Sequence, residues 1–280
     1  MTEFDQRFTN IIPIPKGMSS DDKYCITLGD GRKCLLRISD ISDLKRKTLE
    51  FQMMKTAFEN GISVSAPYEF GNYQDNKIYQ LTEWLDGHDL ETVLPYSDAD
   101  TNYALGQKAA QLLKMLHHIP APVNIEPWKE RFYKKIITRI QEAESLLGAS
   151  ETLTNLRKYL VDGISILNDC TQCFNHGDFN PGNLILLENG SLSAIDFNGY
   201  NHGYGDPIFE TTTILSDESV DKDFKNGFRD EYYGKNIPES IVKHLLYYRA
   251  YNLLAGLCEE ENEAIQNQTL QKIHSYIKNL

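Results

Sequence analysis

Two spacings of apolar residues divide the chain. Up to about residue 85 the apolar positions fall in short runs separated by turn-forming residues: Ile11 to Ile14, Tyr24 to Leu28, Cys34 to Ile38 and Lys77 to Trp84. Runs of this length bounded by Gly, Pro, Asn and Asp predict strands. Gly29-Asp30-Gly31 predicts the turn of a hairpin between the second and third runs, and Gly61 to Pro67 reads as an extended entry into a further strand ending at Gly71. One segment departs from this pattern. Leu44 to Asn60 places Leu49, Met53 and Ala57, with Met54 and Phe58, at helical spacing, and Gly61 stops it.

From Asp89 onward the helical period takes over. Tyr103 to Ile119 carries Leu105, Ala109, Leu112, Leu116 and Ile119 on one stripe, a core helix in which His117 and His118 read as structural rather than as ligands. Pro127 to Leu147 and Glu151 to Leu167 predict a helical pair about Gly148. Further helices are expected from Ile208 to the end, separated by Gly234, Pro238 and the acidic run from Cys258 to Glu263. The pattern as a whole predicts an α+β protein: residues 1–85 form a five-stranded antiparallel unit with one helix, and residues 86–280 are mostly helical.

The stretch Phe174 to Phe197, FNHGDFNPGNLILLENGSLSAIDF, interrupts the helices with a hairpin. Leu184 to Leu187 and Leu192 to Phe197 flank a turn built on Asn189-Gly190. If these two are the central turn residues, Ile185 faces Ala194 and Asn183 faces Asp196. Directly opposed side chains share a face, with Cβ atoms about 4.5–5.5 Å apart. An amide oxygen and a carboxylate so placed suit a hard cation such as Mg²⁺. A three-residue loop would break this register. Asp178 ends the triplet His176-Gly177-Asp178 five residues before Asn183, across the irregular loop Phe179 to Gly182. A carboxylate there is placed to accept a proton from an attacking hydroxyl beside a metal-bound phosphate.

The ordered pattern H-G-D-x-x-x-x-N, an Asn-Gly hairpin and then I-D-F resembles the core of the aminoglycoside phosphotransferase family. These are small-molecule kinases of the protein-kinase-like fold, whose relatives include choline, homoserine, methylthioribose, fructosamine and macrolide kinases. The resemblance covers nearly the whole chain. It implies a two-lobed fold, residues 1–85 being the nucleotide-binding lobe and 86–280 the lobe with catalytic loop and substrate site. It makes Asp178 the catalytic base, His176 the residue that shapes the loop, and Asn183 and Asp196 the Mg²⁺ ligands.

The remaining expectations belong to single residues. The loop Pro15 to Asp22 has one glycine, so it is neither a dinucleotide fingerprint nor a Walker loop. Ser19 and Ser20 offer hydroxyls to phosphate there, where the family has its nucleotide-covering loop; an ordinary hairpin connection is the alternative. Arg37, within the run CLLRIS, reads by alternation as facing solvent, whereas the resemblance puts it where protein kinases carry a phosphate-binding Lys. Glu50 is at pairing distance from Arg46 or Lys47 along its helix, and the resemblance pairs it with Arg37 instead. Thr82, Glu83 and Trp84 resemble the hinge that hydrogen-bonds an adenine edge through main chain, and Asp206 a residue supporting the catalytic loop from behind. Glu259 and Glu260 are guesses for an acceptor's ammonium groups, with a solvated face as the alternative.

Composition narrows the function classes. A net charge of −12 argues against nucleic-acid binding, which calls for a basic face, and is compatible with a cationic small-molecule acceptor. The first ten residues lack a signal-peptide pattern and no apolar run approaches a membrane span, so a cytoplasmic protein is expected. Five cysteines form no regular framework and read as reduced thiols, and Cys170-x-x-Cys173 lacks the second half a zinc site needs.

The expected activity is transfer of the γ-phosphoryl group of ATP, or of GTP, to a hydroxyl of an aminoglycoside or similar antibiotic. A metabolite kinase of choline, methylthioribose, homoserine or sugar type is the alternative, as is a catalytically silent nucleotide-binding relative. A protein kinase is disfavoured, since no A-P-E segment follows and roughly a hundred residues separate hinge from catalytic loop.

Overall fold

The computed structural model describes residues 7–15, 20–199 and 203–279. Five strands, β1 (Phe8–Pro13), β2 (Asp22–Leu28), β3 (Lys33–Asp40), β4 (Pro67–Gln74) and β5 (Lys77–Glu83), form an antiparallel sheet in the order β1-β2-β3-β5-β4. The β2–β3 turn closes as predicted. Leu28 N–H donates to Arg32 O, Gly31 takes φ +88°, and the Asp30 carboxylate accepts from Arg32 N–H. Strand β4 runs past Gly71 to Gln74. At Gly71 the missing Cβ makes room for the Tyr79 ring, whose edge lies 3.1 Å from where that carbon would be, so the glycine is a site of close packing inside the strand.

Helix α1 (Leu44–Glu59) follows β3 as the 3.6-residue period predicts. Its Met53 and Ala57 are buried, and they join Ile62 and Val64 in a core shared with the helical part of the chain.

That part begins with β6 (Gly87–Asp89) and the single turn α2 (Leu90–Val93), followed by α3 (Ala99–His117), α4 (Trp128–Leu147) and α5 (Glu151–Asp162). The predicted helix to Leu167 ends early, and Gly163–Leu167 tightens into a 3₁₀ turn. Two-residue strands β7 (Cys173–Phe174) and β10 (Tyr204–Gly205) pair with each other. Between them lies the hairpin β8 (Leu184–Leu187) and β9 (Leu192–Ala194), and β6 adds to it in the order β6-β8-β9. Helices α6 (Pro207–Ser216), α7 (Lys222–Tyr233), α8 (Glu239–Glu259) and α9 (Glu263–Lys278) complete the fold.

Two cores organise the helices. One joins α1, α3, α7 and the hairpin through Leu105, Leu113, Phe174, Phe179, Phe197 and Phe228; the other joins α4, α5, α8 and α9 around Trp128, Phe132, Leu156 and Tyr248. Helices α3 and α7 approach closely because glycine sits on both. A Cβ at Gly106 would lie 2.0 Å from Phe224 O, and one at Gly227 would lie 1.9 Å from Tyr103 O. Among the described residues no helix is long and apolar enough to cross a membrane.

Candidate active site

The loop from His176 to Asn183 is built from the inside outward. His176 and Phe179 are buried, and the imidazole packs against the rings of Phe179 and Phe197 at centroid distances of 5.6 and 4.4 Å. Its Nε2 donates to Ile195 O at 2.8 Å while Nδ1 accepts from Asp178 N–H at 3.3 Å, so the ring is held as the neutral tautomer protonated on Nε2. Gly177 takes φ +89°, and a Cβ there would fall 2.1 Å from Asn198 O, so no other residue fits. These constraints leave Asp178 exposed at the surface of the loop. Its carboxylate accepts from Asn180 Nδ2 at 3.0 Å and from Asn183 Nδ2 at 2.8 Å.

The hairpin register differs from the expected one. Leu184 faces Ala194, Ile185 faces Ser193 and Leu186 faces Leu192. Leu187 N–H donates to Ser191 O, so Glu188, Asn189 and Gly190 form a three-residue loop closed by Gly190 at φ +77°. This is the arrangement that breaks direct opposition of Asn183 and Asp196, since a slip of one residue exchanges the faces. They are brought near each other by another route. Asn183 O accepts from Ile195 N–H at 3.0 Å, and the next residue, Asp196, takes φ +58°, the one positive φ among described non-glycine residues. Asp196 thereby leaves the strand geometry at the hairpin mouth, and a strained backbone of this kind persists where surrounding contacts over-determine it.

Arg37 reaches across from the sheet. Its Nη2 donates to Asp196 Oδ1, its side chain is only 16% exposed, and its Nε is buried without an acceptor among the described residues. Arg37 therefore faces the hairpin, and the default expectation of a solvent-facing cation does not hold. Nor does the expected Glu50–Arg37 pair. Glu50 binds Arg46 at 3.1 Å and lies 3.6 Å from Lys47, while Lys47 Nζ donates to Asp21 at 2.6 Å. The helix acid pairs along its own helix, and the strand cation pairs with the other lobe.

Support for the loop also comes from a different residue than expected. Asp206 caps α6 by accepting from Ile208 N–H, and it further accepts from Tyr248 OH and the Cys170 thiol; it makes no hydrogen bond to the loop. The residue behind the loop is Glu210, one turn later, which the sequence reading missed. Its buried carboxylate accepts from Gly177 N–H at 2.6 Å, from His176 N–H at 3.1 Å and from His117 Nε2 at 2.9 Å. His117 is thus a core residue as expected, and a polar one. Burial alone would raise the Glu210 carboxyl, but these hydrogen bonds and the neighbouring histidines hold it below its ordinary range.

Burial also pushes the His176 imidazole below its ordinary value, against the pull of Glu210 and Asp178. With the native pKa depressed, the unfolded chain binds the proton first as pH falls, so His176 contributes stability that is lost progressively below about pH 6.5. Glu210 acts with the same sign in a lower window, its contribution being lost only below about pH 4.3. The thermal midpoint should therefore fall as pH drops from 7.5 to 5.5, and His176→Gln, whose amide does not titrate there, should flatten that slope. An unchanged slope in the variant would remove His176 from the explanation.

The other expected residues scatter. Ser19 lies outside the described residues, and Ser20 is exposed just before β2. Thr82 is buried at the end of β5; Glu83 N–H donates to Ala66 O and Trp84 N–H to Lys33 O, so those two main-chain donors are already engaged within the sheet. Glu259 pairs with Arg139 of α4, and Glu260 accepts from Asn262 N–H and Gln266. Both lie where α8 ends beside α4, outside the second core, and neither hydrogen-bonds the loop among the described residues. The Glu259 side chain is 64% exposed and Glu260 is partly buried. No group of three His, Cys, Asp or Glu residues able to hold a metal occurs among the described residues.

Comparison with known proteins follows this geometry. The sequence model of the phosphotransferase enzyme family matches residues 10–238. No curated protein matches the sequence. Among solved structures, the aminoglycoside phosphotransferase APH(4)-Ia aligns over 99% of this chain and 95% of its own at 15% identity and a TM-score of 0.73. The streptomycin–ATP–APH(2″)-IIa ternary complex covers 99% and 94% at 17% identity and 0.67, and a putative fructosamine-3-kinase from Haemophilus somnus 129PT covers 95% and 91% at 14% identity and 0.67. Likeness at these identities establishes the fold, a protein-kinase-like α+β architecture with a five-stranded lobe and a mostly helical one.

Proposed function

Because the chain belongs to the phosphotransferase enzyme family, we propose that it moves the γ-phosphoryl group of ATP to a hydroxyl of an aminoglycoside or similar antibiotic. The observation that carries this reading is the convergence at the hairpin mouth. Arg37 of the sheet bonds Asp196, Asn183 bonds Asp178, and the main chain of Asn183 accepts from Ile195, the residue before Asp196; among the described residues the guanidinium keeps one buried N–H without an acceptor. A phosphate oxygen is the acceptor such a group fits, since a guanidinium holds it in a bidentate manner.

The donor set suits Mg²⁺. Asn183 uses its amide nitrogen on Asp178, which leaves Oδ1 for a cation, and Asp196 adds a carboxylate. Two oxygen ligands from the protein leave the remaining positions for water and phosphate, as Mg²⁺ prefers. When bound, the ion neutralises charge on the transferring phosphoryl group.

The chain's own residues do the rest. Asp178, exposed and anchored by the two asparagines, orients the acceptor hydroxyl and takes its proton. His176 keeps the loop in shape from below. Arg37 holds the phosphate tail; Ser19 and Ser20 are assigned to the phosphates from their place in the sequence before β2, and Glu50 stays with Arg46 and Lys47 of its own helix. Thr82, Glu83 and Trp84, at and just past the end of β5, are assigned to the adenine edge, with the N–H groups of Glu83 and Trp84 already bonded within the sheet.

The acceptor class is tested by Mg²⁺-dependent ATP turnover against a panel of hygromycin B, streptomycin, macrolides, choline, methylthioribose and a fructosamine. An aminoglycoside should raise turnover at least about tenfold over the basal rate, a change of about 1.4 kcal/mol in barrier. Stimulation by choline or a sugar alone would replace the acceptor while leaving the chemistry, and no turnover with any compound would mark a silent relative.

A further inference from the structure

We propose that Asp21, just ahead of β2, and Lys47 of α1 are the positioning pair for Arg37. The inference rests on the phosphotransferase reading above and names a regulation of that same site's geometry.

Arg37 has no bond to α1; its recorded partner is Asp196, in the other lobe. Glu50 is held by Arg46 and Lys47. Something else must fix the strand that carries the guanidinium against the helix behind it. Lys47 and Asp21 do so at 2.6 Å, with side chains 2% and 1% exposed.

The two residues are also tied to the Arg37 strand and to its neighbour β5, Asp21 through its carboxylate and Lys47 through its main chain. Asp21 accepts from Ser39 Oγ at 2.8 Å, and Ser39 lies two residues along β3 from Arg37, on the same face. The main-chain oxygen of Lys47 accepts from Gln80 Nε2 at 3.0 Å, and Gln80 is directly opposite Arg37 on β5. Lys23, two residues after Asp21, is directly opposite Arg37 on β2. Two cations facing each other repel unless an anion lies between them. Asp21 is such an anion, acting on both Lys23 and Arg37, so the bonds that fix Asp21 also steady the two cations.

Energetics point the same way. A buried ion pair gains little stability over an apolar pair of similar volume, because desolvation offsets the attraction, whereas removing one partner strands a charge. Orientation is what the apolar pair does not reproduce. The double variant Asp21→Leu with Lys47→Met separates the two roles, since it leaves no unpaired charge.

Three measurements are made on it and on the unaltered protein: the thermal midpoint, steady-state Mg²⁺-dependent ATP hydrolysis, and calorimetric MgATP binding. The expected result is a midpoint within about 5 °C of the parent, a MgATP Kd and KM raised about tenfold, and kcat held within about twofold. Lys47→Arg, which keeps the pair, should restore affinity. Parental MgATP affinity in the double variant would overturn the proposal, as would loss of affinity only in step with loss of the fold. If the unaltered protein binds no MgATP, the phosphotransferase reading fails and this inference with it, a result distinct from parental binding in the variant.

Discussion

Asp178→Asn is expected to lower turnover by about 10²–10⁴-fold, the usual contribution of a positioned general base, while MgATP binding stays within about threefold of the parent. The amide keeps an oxygen able to accept from Asn180 or Asn183, so the loop holds its shape, but it takes no proton from an acceptor hydroxyl. Asp178→Ala should be worse in an informative way. It removes the side-chain anchor of Asn183 Nδ2, freeing the amide whose oxygen is assigned to the cation, so a raised Mg²⁺ requirement should accompany the lost turnover. Steady-state kinetics at varied Mg²⁺ distinguish the two. Substantial turnover in Asp178→Asn would leave the loop without its assigned chemistry.

Glu210→Gln, a change of one atom, should cost about 3 kcal/mol of stability and most of the activity. Gly177 N–H donates to Oε1, and His176 N–H and His117 Nε2 share Oε2. Whichever way the amide is turned, its NH₂ meets a donor, and at least one buried N–H loses its acceptor at about 1–3 kcal/mol. Against a domain stability of about 5–15 kcal/mol this is a large fraction. His117→Gln, which disturbs one of the three bonds, should lose less. Chemical denaturation with kinetics on the folded fraction checks both parts, and a Glu210→Gln protein as stable and active as the parent would show that the loop is held by something else.

Much of the architecture is local and therefore legible. The strands of the first unit follow from short apolar runs bounded by turn residues, and the helix Leu44–Glu59 and the long helices from the 3.6-residue apolar period. The order His176, Gly177, Asp178, Asn183, Asp196 was likewise readable as a candidate site, since each residue's conformational need is met within a few positions of chain. Gly177 and Pro181 are such residues.

Partnership was not legible. Asn189-Gly190 is compatible with two- and three-residue turns, and the choice between them, which sets every facing pair of the hairpin, was made where β8 and β9 pack and pair with β6. Glu50, Lys47 and Asp21 are ordinary charged residues by composition. Which acid a cation takes depends on burial and distance across strands and helix, and Asp21 lies 26 residues from Lys47. Glu210 reads as one more acid on a helix, and its role depends on His117, 93 residues away, and on a loop 33 residues before it.

The chain by itself determined which segments become strand, helix and loop, and which side chains are the candidates for chemistry, because those follow from spacing and residue type. Tertiary structure alone decided which charge meets which, because the attraction between two ions and the burial that strengthens it exist only once distant segments have packed.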